Sequence, residues 1–569
     1  MIPEESYLWK FPKEMEDAGL EDNGFTDPFR YVPDPRVLHA GRIVISRLAE
    51  WASMPEGRPE KTIERSFAEG KMLGVLICRT GFLAAFSGTV KGPDGSVTAS
   101  VDGFVPPIID LTDEQGYFKI NEAAITRLNK ELKILSSSPA YNAIKTELIN
   151  AQATRDAEIE ALQDQIRLAK IQRDKIRNES TDPSKLDGLI RESQFQKAEL
   201  KRCKDRWKDR IYEIENQISE FEATIRNLKV RRAEQSDALQ KWIFENAIVH
   251  NGAGESLSIW EIFSCGGLTP PGGTGDCAAP KLLNYAFAHG LDPLAMGEFW
   301  YGASPDTAVR THGHFYPSCT SKCGPLLGYM MKGLRHPITG TTSLPTPIGN
   351  LFEDDSIIVV EKPSGMPSVP GLDGRNSLQE LLTSQSNEIH AVHRLDMDTS
   401  GVMVFAKTTE AAVNLRRQFE DHTVRKSYMA KVSADTVSQT GSSKTGKGTI
   451  DLPLSPDYDE RPRQKIDFRQ GKPAYTEYEI IRNHEDGTAD LLLYPHTGRT
   501  HQLRIHCAHH LGLGRPIVGD LLYGGYSVFD NKASEPAHPA RLCLHALSIT
   551  FRHPLTAEEL TFTSEKLAY

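Results

Sequence analysis

The chain has little of several features that would each fix its class at once. Its eight cysteines in 569 residues are too sparse for a disulfide-stapled secreted domain, so a reducing compartment, the cytoplasm, is expected. No apolar run approaches the roughly 20 residues of a membrane-spanning helix, and Met1-Ile2-Pro3-Glu4-Glu5 opens without the basic and apolar stretches of an export signal. A soluble, unexported protein with no membrane partner is the reading. Excess positive charge is missing too: 66 Lys and Arg stand against 76 Asp and Glu, a net charge of -10, so contact with nucleic acid has to be local. Glycine is almost absent between about 121 and 247, which excludes a turn-rich fold there. What remains is a long chain that a prior of about 100–200 residues per domain divides into three or four units.

Residues 1–118 read as a mixed α/β segment. Val37–Trp51 has helical spacing, and Met72–Cys78 and Phe82–Ser87, joined by Arg79-Thr80-Gly81, read as a hairpin of apolar strands. Residues 119–248 read as an antiparallel coiled-coil hairpin. Ile159, Leu162, Ile166, Ala169, Arg173 and Ile176 step by three and four, as do Trp207, Ile211, Ile214, Ile218, Phe221, Ile225 and Leu228. The break between the two helices falls at Asn178–Ser184, which holds Pro183 and capping residues; at about 1.5 Å per residue each arm would extend roughly 75–90 Å. Such a hairpin serves either as a spacer or as an arm that reaches RNA, a ribosomal particle or a second copy of the chain.

Residues 249–335 form a cysteine-containing α/β segment expected to pack with 1–118. The run Gly272-Gly273-Thr274-Gly275-Asp276 is no phosphate loop, because the Lys-Ser/Thr that meets phosphates is missing. Cys277, Cys319 and Cys323 are instead candidate zinc ligands, with Cys265, His312 and His314 as further candidates. The order of glycines, a Cys-initiated helix, a strand, and Pro317-Ser318-Cys319 with Cys323 opening a helix resembles the zinc-dependent nucleoside and nucleic-acid deaminases. In that family a glutamate follows the first ligand by two residues. Here Ala279 stands at that place, so the resemblance implies a module without deaminase activity, with the 72–87 hairpin belonging to it and the coiled coil inserted. Residues 336–349, rich in Pro, Thr and Gly, read as a linker.

From 350 to 569, short apolar strands such as Ser356–Glu361, Gly401–Ala406, Tyr428–Val432, Ala474–Ile481 and Ala489–Tyr494 alternate with turn residues and two helix-like segments, which predicts an α+β domain with a mixed, mostly antiparallel sheet. Its most reactive-looking stretch is His393-Arg394-Leu395-Asp396-Met397-Asp398-Thr399-Ser400-Gly401, a polar turn feeding a buried strand. Asp396 is the expected chemical group and Asp398 the expected turn-capper. Arg461, Arg463, Lys465, Arg469 and Lys472 form the densest basic patch, expected to touch phosphates.

Six motifs in this region resemble the RluA-type RNA pseudouridine synthases: Glu361–Pro367, His393–Asp396 with Thr399–Gly401, Lys426–Tyr428, Gly471–Thr476, Pro495–His506, and Pro516–Asp520 with Tyr523-Gly524. The resemblance implies isomerisation of uridine to pseudouridine in structured RNA, ribosomal or transfer, without a cofactor. It implies that Asp396 is the catalytic carboxylate, that Arg504 pairs with it, and that Tyr428 stacks on the target base. Arg394, Leu503, Arg499 and Lys472 are the expected substrate-binding residues, Arg394 helping to hold the uridine out of its stack. Larger members often carry a small basic RNA-binding domain in front; the N-terminal half stands in its place here. The alternative is a non-catalytic RNA-binding or ribosome-assembly factor that keeps the fold, whose mark would be loss of the aspartate, tyrosine or arginine.

Overall fold

The computed structural model describes residues 7–12, 24–29, 33–92, 95–179, 182–320, 322–335, 348–371, 376–384, 388–433, 446–458, 460–528 and 541–565. The chain forms two compact units, residues 1–110 together with 244–569, and residues 111–243. The fold class is the one the sequence predicts: α+β, with a mixed, mostly antiparallel C-terminal sheet behind an α/β segment that carries a helical hairpin. The linker expected at 336–349 lies almost wholly outside the described residues.

In the first unit, a six-stranded antiparallel sheet runs in the order Leu8–Trp9, Gly81–Phe86, Lys71–Cys78, Pro293–Tyr301, His314–Tyr316 and Tyr526–Ser527. Helix Pro35–Ser53 starts where Asp34 accepts the Arg36 amide at 2.8 Å and Pro35 presets the first turn. It turns the stripe Val37, Leu38, Val44, Ile45, Leu48 and Trp51 into the core formed with Phe82, Phe86, Phe299 and Phe315. The sixth strand is not N-terminal at all: Tyr526 and Ser527 pair with Phe315 and His314.

The second sheet runs Gly349–Glu353, Ile357–Lys362, Ser400–Ala406, Leu544–Arg552, Arg425–Val432, Ala489–Pro495, Tyr475–Asn483 and Lys447–Asp451. Ser400–Ala406 and Leu544–Arg552 pair in parallel through Ser400 with His545 and Gly401 with Ala546, whereas the other described pairings of this sheet are antiparallel. Gly401 is required there. At φ +117° its place holds no room for a side chain, since a Cβ would lie 2.2 Å from the Ala546 carbonyl oxygen.

Among its described residues the second unit holds three helices rather than two. Tyr117–Ser136 ends at Ser137, and Pro139 opens a new helix, Pro139–Glu179, with Ser138 accepting the Tyr141 amide at 3.2 Å. Pro183–Asn246, at 64 residues, returns antiparallel to it. Tyr141 stacks near Phe221, Arg210 pairs with Glu147, Arg206 and Trp207 with Glu158, and Arg173 with Gln196, so partner numbers fall along one helix as they rise along the other. Arg173, a seam position in the sequence, is 5% exposed because its guanidinium has partners, while Ile176 is 40% exposed near the tip.

Within the first unit, Arg463 welds the two sheets' regions together. Its guanidinium donates to the carbonyls of Leu522 and Val309, and lies over the rings of Tyr316 and Tyr523 at 5.5 and 5.0 Å. Glu460 pairs with Arg310, which covers the other side of the assembly over Tyr316. Arg463 was expected on an RNA-facing patch; at 5% exposure it is instead an internal tie. Arg463→Ala removes two donors from buried carbonyls and two ring contacts, so it is expected to lower stability by about 3 kcal/mol in denaturant unfolding. A loss under about 1 kcal/mol would show the weld to be incidental.

Candidate active site

The parallel pair places the polar turn before Ser400 at the middle of the large sheet. Five anchors hold that turn. Ser368 donates to the Leu395 carbonyl at 2.8 Å and accepts the Leu395 amide at 3.0 Å. Ser364 donates to the Asp398 carbonyl at 2.7 Å, and the Gly365 amide to Met397 at 2.9 Å. Lys362, 1% exposed, spends its ammonium on the carbonyls of Pro363, Met366 and Met397 at 2.7–2.9 Å. A lysine at the end of an apolar strand gives no hint in sequence that it will clamp a loop 35 residues away.

The turn faces a cavity of about 660 Å³, within the range of small-ligand sites, about 300–1,000 Å³. Asp396, Tyr428, Arg504, Arg394, Leu503 and Arg499 all line it. Lys472 does not. It is exposed on the segment beside Pro473, whose carbonyl accepts from Arg499 Nε at 3.0 Å. The cavity's charged lining is mostly basic, Arg416 and Lys426 joining Arg394, Arg499 and Arg504 against Asp396 and Glu420.

Arg504 organises the electrostatics. Its Nε and Nη2 make a bidentate pair with Asp520 at 2.8 and 2.7 Å, which leaves Nη1 facing Asp396 Oδ2 at 3.8 Å. The tight partner is therefore Asp520, and Asp396 is the looser one. Asp520 itself also accepts the amides of Leu522 and Tyr523 at 3.0 and 3.1 Å, and its pKa is held below the usual carboxylate range by Arg504 and these donors against its burial. Burial pushes the Asp396 carboxyl up, with Arg504 and Arg394 pulling it back, so it faces the cavity as a carboxylate stabilised less than its neighbour. Tyr428, on Arg425–Val432, has its phenol pushed up by burial and by Asp396.

The histidines that resemble bases or ligands in the sequence are structural. His393 stacks on Phe419 at 4.7 Å and accepts the Val404 amide at 3.2 Å; burial holds its pKa down at about 3, so it is neutral. His501, at φ +52°, meets the Tyr523 hydroxyl at 3.0 Å, and that hydroxyl accepts the Gln464 amide at 2.8 Å. Burial also lowers the His501 pKa well below its usual value. His506 lies between Thr476 and the Leu452 carbonyl. Gln502, unread in the sequence, uses both ends of its amide: Oε1 accepts from Thr497 and the Arg499 amide, and Nε2 donates to Tyr475 and Thr476. The only signal for it was its place inside a dense polar motif.

Outside the lining of this cavity, Cys277, Cys319 and Cys323 converge, their sulfurs all within 4.8 Å of one another. The further candidates stay out of that group among the described residues. Cys265 is exposed, His312 accepts the Gly302 amide, and His314 meets the Gly524 carbonyl.

Residues 356–509 match the family model described as RNA pseudouridylate synthase. The chain is 42% identical over 214 residues to the "Dual-specificity RNA pseudouridine synthase RluA" of Escherichia coli strain K12, covering 37% of this chain and 90% of that protein. It is 41% identical over 213 residues to the protein of the same name from Pasteurella multocida, again 37% of this chain and 90% of the relative. A solved structure of human RNA Pseudouridylate Synthase Domain Containing 1 matches with a TM-score of 0.32 at 27% identity, covering 40% of this chain and 86% of that one.

Asp520→Asn strips the buried Arg504 guanidinium of its bidentate partner. It is expected to cost about 3–4 kcal/mol in chemical denaturation, more than any substitution of a rim arginine, which the same measurement should place under about 1 kcal/mol.

Proposed function

The chain belongs to the RluA-type RNA pseudouridine synthases and is an isomerase that acts on RNA, and from that premise we propose that Asp396 is the carboxylate that performs the isomerisation, on uridines of structured ribosomal or transfer RNA. The observation that carries the reading is the single cavity holding Asp396, Tyr428 and Arg504, with Arg504 locked by Asp520 so that its remaining edge faces Asp396 at 3.8 Å.

The reaction breaks the N1–C1′ bond, turns the base and joins C5 to C1′, with the C5 proton leaving and N1 gaining one. A carboxylate beside C1′ and C2′ serves as nucleophile, base or electrostatic partner of an oxocarbenium-like centre. Asp396 suits all three because it is charge-supported without being clamped: a carboxylate in a bidentate pair has its lone pairs committed, and one at 3.8 Å has them free. Its raised pKa gives it more basicity than an exposed aspartate. Tyr428 offers an aromatic face to the extruded base, Leu503 an apolar wall, and the exposed Arg394 a guanidinium at the lip to occupy the space the base vacates. Arg416, Lys426 and Arg499 supply phosphate contacts, which carry affinity rather than sequence choice.

In the same reading the cytoplasm is the site of action. The chain divides into an N-terminal module from 1–118 and 249–335, a helical hairpin at 119–248 and a catalytic domain at 350–569, with the hairpin and module choosing the RNA through a ribosomal particle or a second copy. A non-catalytic role is disfavoured, since the aspartate, tyrosine and arginine it would have lost share one cavity.

Asp396→Asn is expected to lower pseudouridine formation by about 10³-fold or more while RNA binding stays within a few-fold; pseudouridine mapping in a deletion strain complemented by either form checks this, and persistence of every site without the protein would refute it. The wild-type rate should fall on the acid side at a pH above the ordinary carboxylate range, because Asp396 must be ionised and burial raises its pKa. For stability the sign is opposite. A carboxyl whose pKa is raised by folding costs stability above its folded pKa and nothing below its unfolded one, so Asp396→Asn should melt no lower than wild type at pH 8, with the difference gone by about pH 3.

A further inference from the structure

The three-cysteine cluster lies in the N-terminal module, outside the residues that the family match covers. Its thiols arrive on three separate pieces of chain. Cys277 immediately precedes helix Ala278–Ala288, Cys319 follows strand His314–Tyr316, and Cys323 caps the start of helix Gly324–Met330. None of the three is in a disulfide. In a tetrahedral site with Zn–S bonds of about 2.3 Å, neighbouring sulfurs stand about 3.8 Å apart, and these all fall within 4.8 Å.

A buried carboxylate from another strand reaches the backbone of the helix that Cys277 precedes. Glu298, on Pro293–Tyr301 and 5% exposed, accepts the Ala279 amide on Oε1 at 3.0 Å and the Ser318 hydroxyl on Oε2. Both donors are neighbours of the thiols, Ala279 two residues after Cys277 and Ser318 directly before Cys319. One buried carboxylate thus ties the piece that presents Cys277 to the piece that presents Cys319. Three thiolates form a soft donor set that selects zinc over harder divalent ions. Zinc sites closed for structure take four protein ligands, and sites that work on water take three. Among the described residues no fourth Cys, His, Asp or Glu joins this group.

We propose that Cys277, Cys319 and Cys323 bind one zinc ion with its fourth position open to water, and that Glu298 accepts a hydrogen bond from that water. The N-terminal module then carries a metal centre of its own, apart from the residues that line the pseudouridine-forming cavity. The test uses the full chain purified without chelator. Elemental analysis should find about one zinc per chain. After exchange for cobalt, the thiolate-to-metal charge-transfer band should have the intensity of three thiolates, and added azide should shift the cobalt d–d bands by entering the open position. Cys277→Ser and Cys319→Ser should each abolish stoichiometric zinc, whereas Glu298→Gln should keep the metal and tighten azide binding by about tenfold, because a neutral side chain that can donate replaces a carboxylate that repels the anion. The wild-type readings stand even where a cysteine variant does not fold. A chain without stoichiometric zinc, a disulfide within the trio in non-reducing mass spectrometry, or a cobalt spectrum blind to azide would each overturn the proposal.

Discussion

The catalytic half depends on one buried guanidinium being divided between two aspartates. Arg504 gives Asp520 two short, parallel hydrogen bonds and leaves Asp396 only the field of its third nitrogen. Were the assignments reversed, the carboxylate facing the cavity would be locked and the buried one would lack charge compensation. The loop around Asp396 supports the same division from the other side. Its backbone is tied by Lys362, Ser364 and Ser368, while the acidic side chain at its centre meets Arg504 only at 3.8 Å.

That arrangement sets the two carboxylates apart by what each does to the fold. Asp520 has its pKa depressed and belongs to the fold's favourable electrostatics, whereas Asp396 has its pKa raised and is carried at a cost to the fold. Gly401 belongs to the same device. Its missing side chain lets Ser400–Ala406 run against Leu544–Arg552, and that close approach aims the preceding turn into the cavity.

Asp396, Tyr428 and Arg504 were legible because each sits in a local motif, and the strands that carry them have the apolar runs that mark buried sheet. What was not legible depended on distance. Sequence shows that Arg463 and Lys362 are charged but not that they are buried, so one was read as an RNA contact and the other as part of a motif with no task. Asp520 as a second and tighter partner of Arg504, and Glu298 at the amide of Ala279, are side chains brought together across the fold. The break at Ser137–Pro139 was passed over because periodic residues continue on both sides of it. Strand Tyr526–Ser527 is two residues long, too short for any pattern.

That short strand sets a clock. The five N-terminal strands of the smaller sheet are complete once residue 316 has been made, but their last partner is 526–527. At roughly 5–20 residues per second, synthesis of the intervening chain takes about 10–40 s. Throughout that interval the His314–Tyr316 edge has no native neighbour on its outer side, and an uncovered edge pairs with whatever strand it meets. The same segment that begins by fixing Arg504 through Asp520 ends by covering that edge. Fixing of Arg504 and sealing of the first-made sheet therefore fall within one short stretch of synthesis, and a ribosome that stalls before Asp520 leaves both unfinished.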